Sequence, residues 1–264
     1  MRSRLAVVVA AAAVAVSIAG CRDRGAAPLS HFPTVAPVAP PVATGGATPS
    51  TRIGSPAVSP GQSALAGFEG WSVIKPFSVD IGVDRGLLVM TLTHQALWFN
   101  ADRGVLFSRL VDGDFRITAT VRAAKTSDPA ASPGGDGTVQ LGGLMARADR
   151  SPEDYVFIVV GDDGDGPSVE TKSTDDNVSV YDGPLWPSGA ADLRLCRVGS
   201  AFTLYKRLPA SSDAWSIATT YDRPDLPDTL QVGANIYSGS TPDLTVRYED
   251  LAIDRIVTTL DCTA

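Results

Sequence analysis

The sequence predicts an all-β protein built as an antiparallel two-sheet β-sandwich of the jelly-roll type. Short segments that alternate apolar and polar residues, or that are apolar throughout, follow one another from about residue 86 to the C-terminus. Glycine, proline and aspartate clusters separate these segments. No convincing amphipathic helix and no internal repeat are found. A series of short strands joined by polar turns is typical of sandwiches and jelly rolls.

Residues 1–20 have the layout of an export signal. Arg2 and Arg4 precede an apolar run at 5–18, and small residues lead to Cys21. A positive start, a short apolar core and small residues before a cleavage site are typical of a secretory signal peptide. The run is shorter than the roughly 20 residues that a membrane-spanning helix needs.

The stretch Ile18-Ala19-Gly20-Cys21 closely resembles the lipobox of bacterial lipoproteins. In that family the signal is removed before the cysteine, which then carries the lipid. The resemblance implies lipidation at Cys21. It also implies a cell-envelope location, at the outer membrane or at the exterior face of the plasma membrane. An ordinary signal peptide, with Cys21 incidental, is the alternative.

Residues 21–66 are predicted to form a flexible, disordered linker. Prolines recur there among alanine, valine, serine, threonine and glycine, and no structural period is present. Proline disfavours helices and central strands, so this composition is typical of an extended spacer. At about 3 Å per residue, the linker would reach on the order of 100 Å from the lipid.

Two of the three cysteines remain once Cys21 is assigned to the lipid. An exported protein enters an oxidising compartment, where cysteines in even number tend to pair. We therefore expect a disulfide between Cys196 and Cys262, which would attach the end of the chain to the body of the domain. Two buried free thiols are the alternative.

Residues 67–264 are expected to form one domain. The segment FRITATVR places Phe115 and Ile117 on one face of a strand and Arg116 and Thr118 on the other, which indicates a half-buried antiparallel strand. The other expected strands lie at 86–93, 104–111, 139–148, 154–160, 167–173, 177–181, 192–198, 201–207, 215–221, 229–237 and 244–253.

The charge of this domain argues against nucleic acid as a partner. The whole chain carries a net charge of −7, although its first 66 residues hold five arginines and one aspartate. The domain is therefore more acidic than the chain and repels phosphates and anionic headgroups. The expected partners are a carbohydrate or an envelope protein, and the expected membrane contact is the N-terminal lipid.

Several motifs follow one another in a distinctive order. GDF begins a strand at Gly113, GLMAR ends another at Arg147, an aromatic-rich strand follows, and a hairpin turns on Gly199 before a last strand reading YEDLAI. This order resembles the concanavalin A-like lectin/glucanase superfamily, in particular its laminin-G-like members, over residues 68–255. The resemblance implies two antiparallel sheets, one of them concave. In this superfamily the concave face or the loops at its edge commonly bind carbohydrate.

Carbohydrate binding needs aromatic rings for the C–H faces of sugars and polar groups for their hydroxyls. The candidate ligand-binding residues are Arg147, Tyr155, Tyr181, Trp186 and Trp215. Trp186 lies in a loop between two prolines, and the resemblance implies a polar ligand contact at Arg147. The alternative is that these rings belong to the core, where we expect Trp98.

Two acidic loops, at 161–168 and 173–177, could bind Ca²⁺, which takes oxygen ligands from such loops. Asp162, Asp163 and Asp165 are the candidate ligands, although their spacing is not that of an EF-hand. Solvated turns are the alternative. No other cofactor is expected.

No recognisable catalytic motif is present. His94 lacks an accompanying GxSxG elbow, and no strand carries two catalytic carboxylates on one face; the alternative is a pair assembled from separate strands, for example Glu170 with Asp175 or Asp176. The sequence therefore predicts an exported, membrane-anchored lipoprotein whose sandwich binds an envelope or extracellular carbohydrate without catalysis. A structural or protein–protein interaction module of the envelope, and a glycoside hydrolase, are the alternatives.

Overall fold

The computed structural model describes residues 65–135 and 137–263. The expected signal peptide, Cys21 and the linker as far as residue 64 lie outside these residues. None of the helices in the described part of the chain has the length and apolarity needed to span a bilayer. The described residues contain two short 3-10 turns and fourteen strands. The strands are β1 (Ser72–Ile74), β2 (Val79–Asp84), β3 (Leu87–Leu92), β4 (Val105–Asp112), β5 (Phe115–Ala124), β6 (Gln140–Arg147), β7 (Tyr155–Asp162), β8 (Pro167–Asp175), β9 (Val178–Asp182), β10 (Ala190–Val198), β11 (Ala201–Arg207), β12 (Ser216–Asp222), β13 (Thr229–Ser238) and β14 (Thr245–Arg255).

These strands form two antiparallel sheets. Sheet A has the strand order β1-β4-β13-β6-β7-β8-β9, and sheet B has the order β12-β11-β10-β5-β14-β3-β2. The predicted antiparallel β-sandwich is therefore confirmed. Each segment expected to be a strand coincides with one of β3 to β14.

Sequence reasoning missed β1 and β2. In β2 the sequence VDIGVD combines Gly82 with two aspartates, residues that are depleted in strands. The strand forms because a tight hairpin pairs it with β3 at the edge of sheet B. That turn uses positive φ angles of 51° at Arg85 and 84° at Gly86, which suit the right-handed twist of a hairpin.

The main hydrophobic core lies between the two sheets. In β5, Phe115 and Ile117 are fully buried, whereas Arg116 and Thr118 are partly exposed. Successive side chains of a strand point to opposite faces, so β5 presents one face to the core and one to solvent. Burial of each large apolar side chain in such a core stabilises the fold by about 1.5–3 kcal/mol.

Sheet A does not follow this one-sided pattern, since every residue of β6 and β7 is buried. A strand loses its alternation when both of its faces are covered. The face of sheet A that points away from sheet B, called here the outer face of sheet A, packs a second apolar cluster that includes Met145, Tyr155 and Phe157. Trp98, from the connection between β3 and β4, completes this cluster.

The predicted disulfide between Cys196 and Cys262 is confirmed. It joins β10 to the 3-10 turn that follows β14, within a third apolar cluster on sheet B. The guanidinium of Arg194 donates to the carbonyl of Cys262 and lies 4.2 Å from the ring centroid of Trp215. The C-terminal segment is therefore held both covalently and by the side chains around the bond.

Removal of the disulfide by Cys196→Ser together with Cys262→Ser should lower the free energy of unfolding by about 4 kcal/mol, because the bond closes a long loop. Urea unfolding measures this difference. A Cys21→Ala chain, which keeps both paired cysteines, is the control. Equal unfolding midpoints for the two chains would contradict the prediction.

Candidate functional site on the outer face of sheet A

The connection between β3 and β4 crosses the outer face of sheet A. We call residues 94–104 the strap. Ala96 forms a β-bridge with Ser238, whose N–H donates to the Ala96 carbonyl at 2.8 Å. Gln95 Nε2 donates to the carbonyl of Gly239 at 2.6 Å. The strap therefore begins by pairing with the end of β13.

The tip of the strap is attached to the edge strand β9. The backbone N–H of Asn100 donates to Ser179 Oγ at 2.8 Å, and the N–H of Ser179 donates back to Asn100 Oδ1 at 3.1 Å. Asn100 has a positive φ of 51°, which asparagine tolerates better than most residues. The two reciprocal bonds form a latch, and we use that name for the Asn100–Ser179 pair below.

Trp98 places its indole on the outer face and is fully buried. Its ring centroid lies 5.3 Å from that of Tyr155, with the two planes at 66°, an edge-to-face arrangement. Its Nε1 donates to the carbonyl of Val105 at 3.2 Å. Gly104 packs against the indole so closely that a Cβ there would lie 2.3 Å from Trp98 Cδ1, so only glycine fits at this position.

A buried ion pair lies beside the tryptophan. Lys172 Nζ is 3.0 Å from Glu170 Oε1, and both residues are 3% exposed. Lys172 also donates to the carbonyl of Trp98 at 3.0 Å, and the hydroxyl of Tyr237 donates to Glu170 at 2.9 Å. Burial lowers the pKa of Lys172, and the Glu170 carboxylate opposes that shift. Burial and the same carboxylate raise the pKa of Tyr237 well above its ordinary value.

Aromatic rings surround the ammonium group of Lys172. The centroids of four rings lie between 5.0 and 5.6 Å from Nζ, those of Phe99, Phe157, Tyr181 and Tyr237. Ring faces carry negative potential and attract a cation. Tyr181 is 49% exposed, so this aromatic cluster reaches the protein surface at β9.

Several buried polar side chains on the same face lack protein partners, among them Asn235 and Ser108. Asn235 is 0% exposed, and neither its Nδ2 nor its Oδ1 is hydrogen-bonded; the hydroxyl of Ser108, also 0% exposed, is unpaired as well. Both residues alternate along their strands with inward core residues, so they point to the outer face. A buried polar group without a partner costs roughly 1–3 kcal/mol.

Tyr155 shares this face. Its hydroxyl faces those of Thr174 and Ser179 without the geometry of a hydrogen bond. Burial is the main cause that raises the pKa of Tyr155 to about 12.

The predicted ligand residue Arg147 lies buried at the rim of this face, 1% exposed. Its Nε donates to Glu153 Oε2 at 2.7 Å and its Nη1 donates to Gln231 Oε1 at 2.6 Å. Arg103, from the strap, donates to the other oxygen of Glu153. The strap is thus tied to the rim through a carboxylate shared by two arginines.

Trp186 and Trp215 lie away from the face that contains Tyr155 and Tyr181. Trp186 packs against the main core, and its Nε1 donates to the carbonyl of Ala190 at 2.9 Å. Trp215 belongs to the disulfide cluster on sheet B. The structure therefore brings together Tyr155, Tyr181 and, at the rim, Arg147, but neither tryptophan.

The candidate metal ligands lie in a turn between β7 and β8. Asp162 Oδ1 accepts from the N–H of Gly164 at 2.8 Å, and Asp163 Oδ1 accepts from the N–H of Asp165 at 3.0 Å. Both carboxylates thus support the turn through their own backbone, as in Asx-turns.

A different acidic group, Asp154, Asp175 and Asp225, has its ligand atoms within 4.8 Å of one another. Arg223 Nη2 lies 3.6, 3.7 and 2.7 Å from their respective carboxylates. Hydrogen bonding to Arg223 lowers the pKa of Asp225. Arg223 thus pairs with all three carboxylates, and Arg150 pairs with Asp154 and Asp225 as well.

The carboxylate pair considered for glycoside hydrolysis is not assembled. Glu170 points to the outer face, whereas Asp175, an odd number of residues further along β8, lies on the opposite face beside Arg223. Asp176 follows in the turn, about 20 Å along the strand from Glu170 at 3.3 Å per residue. Hydrolysis needs two carboxyl groups about 5–9.5 Å apart.

Sequence reasoning missed Lys172, Glu153 and Asn235, and it placed Trp98 in the core without the strap. One available signal was the spacing of Glu170 and Lys172, since residues two apart on a strand share a face. The strap had no such signal, because residues 94–104 have no periodic pattern.

Lys172→Met should lower the free energy of unfolding by about 3–5 kcal/mol, since it leaves Glu170 buried without a cation. The double variant Lys172→Met/Glu170→Leu should cost less than the sum of the two single variants. A double-mutant cycle by urea unfolding measures this coupling. Arg85→Met, which removes an arginine whose side chain is 90% exposed, should leave the unfolding midpoint unchanged. Additive single effects would contradict the prediction.

No family model matches the chain, and no curated protein matches it. Solved structures match its fold. A functionally unknown protein from Saccharomyces cerevisiae is 12% identical, with a TM-score of 0.58 over 72% of this chain and 99% of that one. A xylan β-1,4-xylosidase from Bacillus halodurans is 13% identical, with a TM-score of 0.52 over 65% of this chain and 33% of that one. The GH43 protein BlXynB from Bacillus licheniformis is 11% identical, with a TM-score of 0.53 over 71% and 37%.

This chain spans about a third of the length of the last two proteins. At these identities the likeness concerns the fold alone. It agrees with the antiparallel β-sandwich that the sequence predicted.

Proposed function

We propose that this protein is a noncatalytic carbohydrate-binding protein of the cell envelope and that its ligand binds at the outer face of sheet A. One observation carries the proposal. This face combines aromatic rings with the buried, unpaired side chains of Asn235 and Ser108. Rings and neutral hydrogen-bonding groups are what the C–H faces and hydroxyls of a sugar need.

We propose that the protein is noncatalytic because the carboxylates of this face already have partners within the protein. Glu170 is paired with Lys172 and accepts from Tyr237, and Glu153 is shared by two arginines. A general acid or a nucleophile needs access to the sugar. Carboxylates that are buried and bound to cations lack that access.

The fold neighbours support a carbohydrate as the first ligand class to test, since one is named as a xylan xylosidase and another as a GH43 protein. Calcium enters the same test, because Asp163 and Asp165 have partly or fully exposed carboxylates beside the buried Asp162.

A second function, a protein–protein interaction module, is favoured by a different observation. The outer face of sheet A is filled by the protein's own Trp98, and the nearby edge is apolar: Val178, Val180 and Leu185 are 63%, 66% and 73% exposed. Edge strands with apolar side chains are common sites for a partner chain. Failure of every glycan to bind would favour this function.

A glycan array probed with the full chain carrying Cys21→Ala, with calcium and with a chelator, tests the main proposal. Tyr181→Ala should lower the affinity for the bound glycan about tenfold, because an exposed ring of the site is lost. Phe77→Ala removes an aromatic ring that is 83% exposed in the turn between β1 and β2, and is the matched control. No binding, or equal losses in both variants, would contradict the proposal.

We also propose that the chain is anchored to a bacterial membrane through a lipid on Cys21, with residues 21–66 as a spacer. Cys21→Ala should move the protein from the membrane fraction to the soluble fraction, since stable anchoring depends on the acyl chains. Fractionation followed by mass measurement of the N-terminal peptide checks this. Unchanged partitioning of the variant would refute lipidation at this residue.

A further inference from the structure

We propose that the Trp98 indole occupies the position where the ligand binds, that opening of the strap removes the indole from this position, and that the ligand is an uncharged saccharide. This inference rests on the proposed function, which it makes more specific. It follows from the contacts of Trp98, from the attachment of the strap, and from the charges of the outer face of sheet A.

The Trp98 indole makes the ring contacts that a sugar bound at this face would make. Its indole is the one ring of the second cluster's buried core that comes from a connection rather than from a strand of sheet A. It meets Tyr155, and the ring of Tyr155 stacks in turn on Phe157, with centroids 5.7 Å apart and planes at 7°. If the indole left, a row of rings would become accessible to the C–H face of a sugar.

Movement of the indole with the strap breaks few hydrogen bonds. Its Nε1 donates to the carbonyl of Val105, the first residue of β4, and this one bond is lost when the strap carries the indole outward. Lys172 would lose the carbonyl of Trp98 but keep its ion pair with Glu170. The cationic centre of the face would therefore remain paired after opening.

The strap is attached by few bonds compared with the strands beneath it. Gln95, the latch and Arg103 attach it through side chains of exposed residues, and Ala96 adds a single bridge. From the buried side, Lys172 donates to the carbonyl of Trp98. β6, in contrast, is paired along its full length with both β7 and β13. Segments with few buried contacts and exposed bonds open locally at a lower free energy than a ladder.

The charges of the face select an uncharged ligand. Lys172 is neutralised by Glu170 and Arg147 by Glu153, so an anion would have to displace a buried carboxylate. The unpaired groups of this face include the amide of Asn235 and the hydroxyls of Ser108 and Tyr155. Each can donate and accept hydrogen bonds, which matches sugar hydroxyls.

Hydrogen exchange of the full chain without ligand tests the opening of the strap. Amides of residues 95–103 that are hydrogen-bonded should exchange at least about 100-fold faster than those of β6 and β7. Asn100→Gly, which keeps the positive φ but removes the latch side chain, should speed their exchange further. Exchange of the strap only at the rate of β6 and β7 would overturn the proposal.

Locking the strap tests its link to binding. Asn100→Cys with Ser179→Cys places two thiols at the latch, and the oxidised protein should bind neutral glycans of the array at least about tenfold more weakly than the same protein after mild reduction. The native disulfide is buried, with its cysteines 1% and 2% exposed, and the unmodified chain under the same reductant is the control.

The outcomes separate the two proposals. Glycan binding that is equal in the locked and reduced forms would overturn the inference and leave the proposed function standing. Binding confined to acidic glycans such as oligogalacturonate would overturn the assignment of an uncharged ligand. Absence of binding in the unmodified chain and in Asn100→Gly would refute the proposed function, and the inference with it.

Discussion

The central strands of sheet A, β6 to β8, are covered on both faces, and the rest of the molecule depends on this constraint. A polar or charged side chain on a doubly covered sheet cannot rely on water, so it needs a partner within the protein. Lys172 finds Glu170 and the carbonyl of Trp98, while Glu153 finds Arg147 and Arg103. The strap contributes one member to each set. It is therefore both an apolar cover and part of the electrostatic balance of the face it covers.

Asn235 and Ser108 are exceptions to this pairing, and the proposed function depends on them. Asn235 and Ser108 are as buried as the ion pair, yet the protein leaves their polar atoms without partners. Natural proteins keep few such groups, and those that remain call for an explanation such as a role in binding. Here they share a sheet face with a row of aromatic rings. Neutral polar atoms left unpaired on a face whose charges are paired are the basis of our proposal of a neutral ligand.

Sheet B shows the opposite arrangement. Its face away from the core is buried around the disulfide but exposed elsewhere, and ion pairs there, such as Arg116 with Asp254 and Arg122 with Glu249, are partly exposed and contribute little energy. Stability at this face comes instead from the disulfide between Cys196 and Cys262 and from the C-terminal turn that it retains. The two sheets thus differ in what stabilises their outer faces, although they contribute together to one core.

The sequence by itself determined the fold class and the strands β3 to β14, because alternation and turn chemistry are local properties of the chain. It also identified the cysteines that pair and two of the rings on the outer face, Tyr155 and Tyr181. Only the tertiary structure decided which face of β7 meets sheet B. That strand is apolar on both faces, so its sequence has no alternation that could identify the inward face. The same holds for the strap: residues 94–104 have no period, and their position follows from the burial of Trp98 against strands distant in sequence.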